Sequence, residues 1–134
     1  MAGRYRHQQR AVRAVQKLSG APELTDDIGS GYDLVLAIAT LSFVEQEMAG
    51  LMKKLYKAMN PGGVLLCYSE GIERDGSGPW DMMLGWLPYN MQGYNLGVKK
   101  NEITEAAMAA GFRSAEKRTG IYSTGNVDVD IFRK

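Results

Sequence analysis

The sequence has almost none of the residues that build disulfide frameworks and metal sites. Its 134 residues include one cysteine, Cys67, and one histidine, His7. A single cysteine excludes a disulfide framework and fits a reducing compartment, so we expect a cytoplasmic protein. Because zinc needs several converging nitrogen or sulfur ligands, we expect no metal site. Cys67 lies in an apolar run without a basic neighbour, which indicates a small buried hydrophobe rather than a reactive thiol.

Long hydrophobic runs and a strong net charge are also missing. No stretch of 18 consecutive apolar residues could span a membrane, and the N-terminus has no apolar segment typical of a secretory signal. The formal net charge of +1 gives no overall attraction to nucleic acid or anionic lipid. With 45% apolar and 23% charged residues, the composition is that of a globular protein with one core.

The first 20 residues contain no acid. Residues 4–19 place apolar side chains at helical spacing and predict a basic amphipathic helix that includes His7, followed by a connector to residue 30. Weak nucleic-acid binding through this helix is one hypothesis. A solvated basic face is the commoner role of such a helix, so we do not expect nucleic acid as a partner. The cations of the helix are Arg4, Arg6, Arg10, Arg13 and Lys17.

A strand, a helix and a second strand follow one another after the connector. Residues 34–39 are an unbroken apolar run, which is typical of a parallel strand covered on both faces. Ser42 and Glu45 form a capping box before an apolar helical stripe. The turn at residues 60–63 ends that helix, and the run "VLLCYSEG" predicts a second buried strand. Together these elements predict a right-handed parallel crossover.

The aromatic segment at residues 80–94 follows a polar loop. Gly85 and Pro88 interrupt it, so we expect broken helical turns rather than one helix. Residues 101–110 then predict a short helix, with Asn101 as a cap and Gly111 as its stop.

The tail of the sequence predicts an antiparallel hairpin with a turn at residues 123–126. Asp128 and Asp130 alternate with apolar residues in its second strand. This pattern predicts that the two carboxylates lie on a solvent-exposed face.

Three strings occur in a characteristic order: "GYDLVLA", "LYKAMNPGGVLL" and "ITEAAMAAGF". With the terminal hairpin, they make residues 31–134 resemble the C-terminal half of a class I S-adenosylmethionine-dependent methyltransferase, most similar to the small-molecule O-methyltransferases. The resemblance implies an α/β, partial Rossmann-like fold. Its mixed sheet would have about four strands, two parallel plus the antiparallel hairpin, with helices on both faces. Residues 1–30 would form a separate N-terminal region.

The resemblance also implies a cofactor, S-adenosylmethionine, and a small-molecule methyl acceptor. It places the cofactor edge at the end of the first strand. Just before that strand lie two acids where the family often has an acid that touches the adenine amine, although a helix-to-strand loop is the favoured interpretation of this segment. The family's catalytic histidine corresponds to Ser42, whose hydroxyl is not basic, so we interpret Ser42 as a helix cap. The candidate cofactor-binding residues are Asp26, Asp27, Ala37, Ile38 and Ala39.

The aromatic segment has two interpretations of equal weight. Its large side chains could line the acceptor pocket or form a subunit interface. Glu70 and Asp81 lie on either side of the loop before it and could serve as acid or base in a pocket that removed them from water, although solvated loop carboxylates are the default interpretation. The candidate substrate-binding residues are Trp80, Met83, Trp86 and Met91.

The family's glycine-rich cofactor turn, which follows its first strand, has no counterpart here. Gly29-Ser30-Gly31 precedes a strand, and Gly76-Ser77-Gly78 does not directly follow one. We therefore expect an incomplete enzyme that is inactive alone. The alternative is a non-catalytic methyltransferase-derived domain that forms a homodimer, because the strand at residues 34–39 would leave an uncovered sheet edge.

Overall fold

A computed structural model describes residues 27–38, 41, 47–69, 71–93, 98–122 and 125–134. The predicted basic helix, with His7, and the Ser42 capping box lie outside these residues. The described strands and helices are β1 (Tyr32–Ile38), α1 (Met48–Ala58), β2 (Met59–Ser69), α2 (Trp80–Met91), α3 (Glu102–Ala110), β3 (Ser114–Tyr122) and β4 (Gly125–Arg133).

The four strands form one mixed sheet in the order β1-β2-β4-β3. β1 and β2 are parallel, with Val35 opposite Leu65, and β4 is antiparallel to both β2 and β3. The α/β fold with two parallel strands and a C-terminal antiparallel hairpin, which the sequence predicts, is therefore confirmed. β1 forms one edge of this sheet and β3 forms the other.

One face of the sheet is covered by α1 and α3. Alternate side chains of β1 and β2 point to this face and are fully buried, because successive side chains of a strand alternate between its two faces. Phe132 of β4 and the apolar stripe of α1 complete the core, which includes Val35, Ala37, Leu65, Cys67, Leu51, Met52 and Leu55. Each large side chain buried here contributes roughly 2 kcal/mol. On the opposite face, Leu34 and Ile38 are exposed.

β2 begins five residues earlier than the apolar run "VLLCYSEG" indicates. It starts at Met59 and takes in the glycine-rich turn, and a register shift between Tyr32 and Leu34 in β1 accommodates the extra residues. Gly63 has to be glycine, because a Cβ there would lie 2.9 Å from the carbonyl oxygen of Asn60.

The prediction of broken turns over the aromatic segment is wrong. The segment forms one helix, α2, with Pro88 inside it. Pro88 removes only one backbone hydrogen bond, and both Gly85 and Pro88 are exposed, so water can take over the freed carbonyl. The local breakers therefore weaken the helix without ending it.

The terminal hairpin is confirmed, and its strands are paired from Ser114 opposite Arg133 to Tyr122 opposite Gly125. The predicted solvent exposure of its carboxylates is wrong, because Asp128 is 4% exposed and Asp130 is 2% exposed. Sequence alternation shows that two residues share a face. It does not show that β4 lies between β2 and β3 with its polar face under a helix.

α3 ends as predicted and begins differently. Gly111 stops it in a left-handed conformation, and its N–H group bonds to the carbonyl of Met108. Asn101 does occupy the position before the first helical residue, but its side chain does not cap the helix. Instead, Glu102 accepts a hydrogen bond from the backbone N–H of Lys99 at 2.8 Å.

Candidate functional site

The carboxyl ends of β1 and β2 define the sheet edge at which α/β proteins bind ligands. β1 ends at Ile38, whose side chain is 53% exposed, and β2 ends at Ser69, which is buried. Because β4 is antiparallel to β2, Asp128 near its beginning lies opposite Ser69. The sheet therefore brings the beginning of β4, with its polar residue Asp128, to the edge at which β1 and β2 end.

A polar cluster that contains two buried carboxylates lies on the helix-covered face just inside this edge. We call it the carboxylate cluster, and it consists of Asp128 and Asp130 of β4, Lys117 and Thr119 of β3, and Thr104 of α3. Thr119 Oγ1 donates a hydrogen bond to Asp128 Oδ1 at 2.8 Å, and Thr104 Oγ1 donates to Asp130 Oδ1 at 3.4 Å. Lys117 Nζ lies 3.8 Å from Asp128 Oδ2 and 3.6 Å from Asp130 Oδ1.

Burial dominates the electrostatics of the cluster. Removal from water raises the pKa of Asp130, and the nearby charge of Asp128 raises it further, while Lys117 opposes both effects. Lys117 Nζ also donates to Asn101 Oδ1 at 2.9 Å, so a single ammonium joins β3, β4 and the start of α3. Both carboxylates are almost inaccessible, and their hydrogen bonds and ion pairs hold β3, β4 and α3 together.

Gly71 connects the carboxylate cluster to the following loop. It has a φ of 63°, and a Cβ at this position would lie 3.2 Å from Asp128 Oδ2. Among the described residues, that oxygen accepts no hydrogen bond and has the Lys117 ammonium as its charge partner. Gly71 therefore lets the chain turn out of the sheet directly against a buried carboxylate.

The loop at residues 71–78 is fixed at its base by the start of α3. The backbone of Ile72 pairs with Lys99, and the N–H group of Lys100 donates to the carbonyl of Ile72 at 2.7 Å. Two ion pairs, Lys100 with Glu73 and Arg74 with Glu105, add to this contact. The loop that leads into α2 is thus fixed to the start of α3.

α2 presents two different faces. Met82 is its one buried residue among those described, and Trp86 and Tyr89 lie on the same side, because residues four and seven apart share a helix face. The Trp86 and Tyr89 rings are 5.7 Å apart. Trp80 and Met91 lie on the opposite side and are strongly exposed.

The structure places the sequence-predicted site residues as follows. Ile38 is at the carboxyl edge, whereas Ala37 is buried in the core, so only its backbone is available there. Asp27 is exposed near the other end of β1, where its Oδ1 accepts a hydrogen bond from the N–H group of Gly29 at 2.8 Å. Asp81 is exposed in the first turn of α2. The remaining candidates, Asp26, Ala39, Ser42 and Glu70, lie outside the described residues.

Sequence reasoning missed the carboxylate cluster, although a signal was present. Lys117 and Thr119 are two residues apart on one strand of the predicted hairpin, and Asp128 and Asp130 are two residues apart on the other. Pairing the strands places Lys117 opposite Asp130 and Thr119 opposite Asp128. Matching partners at the same spacing indicate a side-chain network rather than two solvated faces.

The described part of the chain contains neither a metal-binding group of side chains nor a membrane-spanning helix. No three histidine, cysteine, aspartate or glutamate side chains in it are grouped so that they could hold a metal ion. None of the helices described is long and apolar enough to cross a membrane.

The sequence matches no protein-family model and no curated protein, but the fold matches solved structures. A putative O-methyltransferase from Nostoc punctiforme is 20% identical with a TM-score of 0.65, over 83% of this chain and 34% of that one. Human N-acetylserotonin methyltransferase in complex with S-adenosylmethionine is 21% identical with a TM-score of 0.66, over 84% and 32%. An O-methyltransferase family protein from Burkholderia thailandensis is 18% identical with a TM-score of 0.64, over 87% and 33%.

The chain therefore has the fold of one part of these methyltransferase structures and spans about a third of their length. The described residues do not by themselves fit an adenosine cofactor. Gly29 and Gly31 have positive φ, but they lie at the amino end of β1, away from the carboxyl edge. Gly71 is next to that edge, but the space beside its Cα is filled by Asp128. No turn among the described residues can cradle the cofactor as a glycine-rich turn after a strand does.

Proposed function

We propose that this chain is the acceptor-side part of an S-adenosylmethionine-dependent methyltransferase that methylates an oxygen of a small molecule. The observation that carries the proposal is the combination of the β1–α1–β2 parallel crossover with the antiparallel β4–β3 pair in one sheet. The similarity of this arrangement to solved O-methyltransferases supports it. The cofactor would be bound by a glycine-rich segment outside this sequence, in the same polypeptide or in another.

The proposed acceptor site lies beside the inner face of α2. Trp86 and Met83 are half-buried there, and they would contact the acceptor at the carboxyl edge, next to Ile38. The sequence predicts Trp80 and Met91 as further acceptor contacts, but their exposed side chains lie on the outer face of α2. Ser42 remains a proposed helix cap rather than the base, so the acceptor's proton would be removed by a group outside the described residues.

Calorimetry with S-adenosylhomocysteine tests whether the isolated chain can bind the cofactor without the glycine-rich segment. We expect no binding by the isolated chain at ligand concentrations up to about 1 mM, because a dissociation constant above about 1 mM would be too weak to support catalysis. Addition of a polypeptide that carries the cofactor half of a related O-methyltransferase should restore binding of S-adenosylhomocysteine. With tritiated S-adenosylmethionine as donor, the complex should transfer the labelled methyl group to small phenols and release S-adenosylhomocysteine. Tight binding by the isolated chain would refute its incompleteness. Failure of every complemented complex to transfer methyl would refute the activity.

A second candidate function is a non-catalytic assembly domain, and the position of β1 favours it. β1 pairs only with β2 in the described sheet, so its other side presents backbone groups to a new partner. A homodimer would satisfy this role, and sedimentation measures it directly. Nucleic-acid binding by residues 4–19 and a cytoplasmic location stay predictions from the sequence. A mobility-shift assay over a range of salt concentrations tests the first.

A further inference from the structure

Four apolar side chains form an exposed stripe along α2. Trp80 is 67% exposed, Leu84 61%, Leu87 48% and Met91 80%. We call these four residues the outer stripe. With about 100° of rotation per residue, they fall within one narrow sector of the helix, and Met82, the buried residue, lies on the far side. The stripe therefore lies on the side of α2 opposite its buried residue.

The spacing within the outer stripe is that of a helix-packing seam. Its residues are separated by four, three and four positions, as are the apolar positions along the contact line of paired helices. The spacing also reads the same in both directions. An antiparallel copy of the helix would therefore place Trp80 opposite Met91 of the partner subunit and Leu84 opposite Leu87 of the partner subunit.

The charges of α2 argue against a membrane as the partner of this surface. Helices that lie on a membrane carry lysine and arginine on their polar side, and α2 has neither. The one charged residue of α2 is Asp81, near its beginning. In an antiparallel pair the two Asp81 carboxylates would sit at opposite ends, so no like charges would meet.

We propose that α2 pairs antiparallel with α2 of a second copy of this chain across a two-fold axis. Such an interface is self-complementary, because each subunit contributes the same stripe. The exposed parts of the four side chains amount to about 500 Å² per subunit, so the pair would bury about 1,000 Å², near the lower limit for a specific interface. A dimer that dissociates in the micromolar range is expected. This inference does not rest on the proposed methyl transfer.

Sedimentation velocity of the full chain from about 1 to 200 μM tests the proposal, since this range brackets a micromolar dissociation constant. The unaltered chain should shift from monomer to dimer. The double variant Leu84→Glu/Leu87→Glu should weaken dimerisation by about 100-fold or more, because two facing leucines become like charges. Met108→Glu is the matched control: Met108 is also an exposed apolar residue of a helix, α3, and its variant should dimerise normally.

Cross-linking tests the direction of pairing without new charges. Chains with Leu84→Cys and chains with Leu87→Cys are mixed and oxidised in air, and Cys67 does not interfere because it is buried. Antiparallel pairing predicts mainly the mixed 84–87 disulfide. Preferential 84–84 and 87–87 products would refute the antiparallel arrangement. A monomer throughout the concentration range, or a dimer that survives Leu84→Glu/Leu87→Glu with unchanged affinity, would overturn the proposal.

Discussion

Lys117 and Asp130 face each other across β3 and β4, with Lys117 Nζ 3.6 Å from Asp130 Oδ1. The ammonium also lies 3.8 Å from Asp128 Oδ2, so it is shared by two buried carboxylates. A buried charge is tolerated only when it is paired and hydrogen-bonded. Within the described residues, Lys117 is therefore the ion-pair partner that the two buried carboxylates of the hairpin share.

Replacement of Lys117 by methionine should destabilise the fold strongly. The variant keeps the length of the side chain but leaves two carboxylates in the core without a cation, which costs about 3 kcal/mol. Urea unfolding measures the loss. Arg118→Met is the control, because Arg118 pairs with exposed Glu116 and should change stability by less than about 1 kcal/mol. Equal effects of the two variants would contradict the special role of Lys117.

The stability of the protein should depend on pH through Asp130. Burial raises the pKa of this carboxyl in the folded state, so the folded chain holds the proton more tightly than the unfolded chain does. Its contribution to stability is complete below the unfolded pKa, about 3.9, and is lost as the pH rises through the folded pKa. Asp130→Asn should therefore gain stability relative to the unaltered chain between pH 4 and pH 7. An unchanged difference across urea titrations in this range would show that Asp130 is not perturbed.

Lys134 caps the end of α1 from a distant part of the sequence. Its Nζ donates to the carbonyl of Tyr56 at 2.6 Å and to that of Met59 at 2.7 Å, and it lies 4.6 Å from the centre of the Tyr56 ring. Lys134→Met should lower the free energy of unfolding by about 1–2 kcal/mol, since a cation at a helix C-terminus and its hydrogen bonds are lost. Lys53→Met, on the exposed side of α1, should have little effect in the same denaturation assay.

Gly111 cannot be replaced without strain. Its φ is 113°, and an added Cβ would lie 3.2 Å from the Tyr56 ring. Gly111→Ala should destabilise the protein by about 1–3 kcal/mol. Gly85→Ala is the opposite case: nothing lies within 4 Å of the new methyl group, and alanine is favoured inside a helix. Thermal unfolding should show a lower midpoint for the first variant and an equal or higher midpoint for the second.

The parts of the fold that the sequence predicts are those encoded by local signals. The apolar run of β1, the stripe of α1 and the glycine-rich turn after it define the crossover without knowledge of the rest of the chain. Gly111 likewise ends α3 because its own backbone conformation requires glycine. These features depend on neighbours in sequence, which a single chain displays directly.

The features that escaped prediction depend on neighbours in space. Asp128 and Asp130 alternate with apolar residues just as solvent-facing residues do, and only the position of β4 between two strands buries them. In α2 the local signal is misleading: Gly85 and Pro88 predict an interruption, but the helix continues through both residues. The carboxylate cluster joins three elements, so no single segment of the sequence contains it.

The two borders of the described sheet differ in how they would behave during overproduction. β3 carries Glu116, Lys117 and Arg118, and charges of this kind discourage strands of other molecules from adding to a sheet. β1 has the segment "YDLVLAI", with a single charge, and offers no such protection. Aggregation into inclusion bodies should therefore begin at β1. The substitution Leu34→Lys, at an exposed position of this strand, should raise the soluble yield more than any charge added to β3.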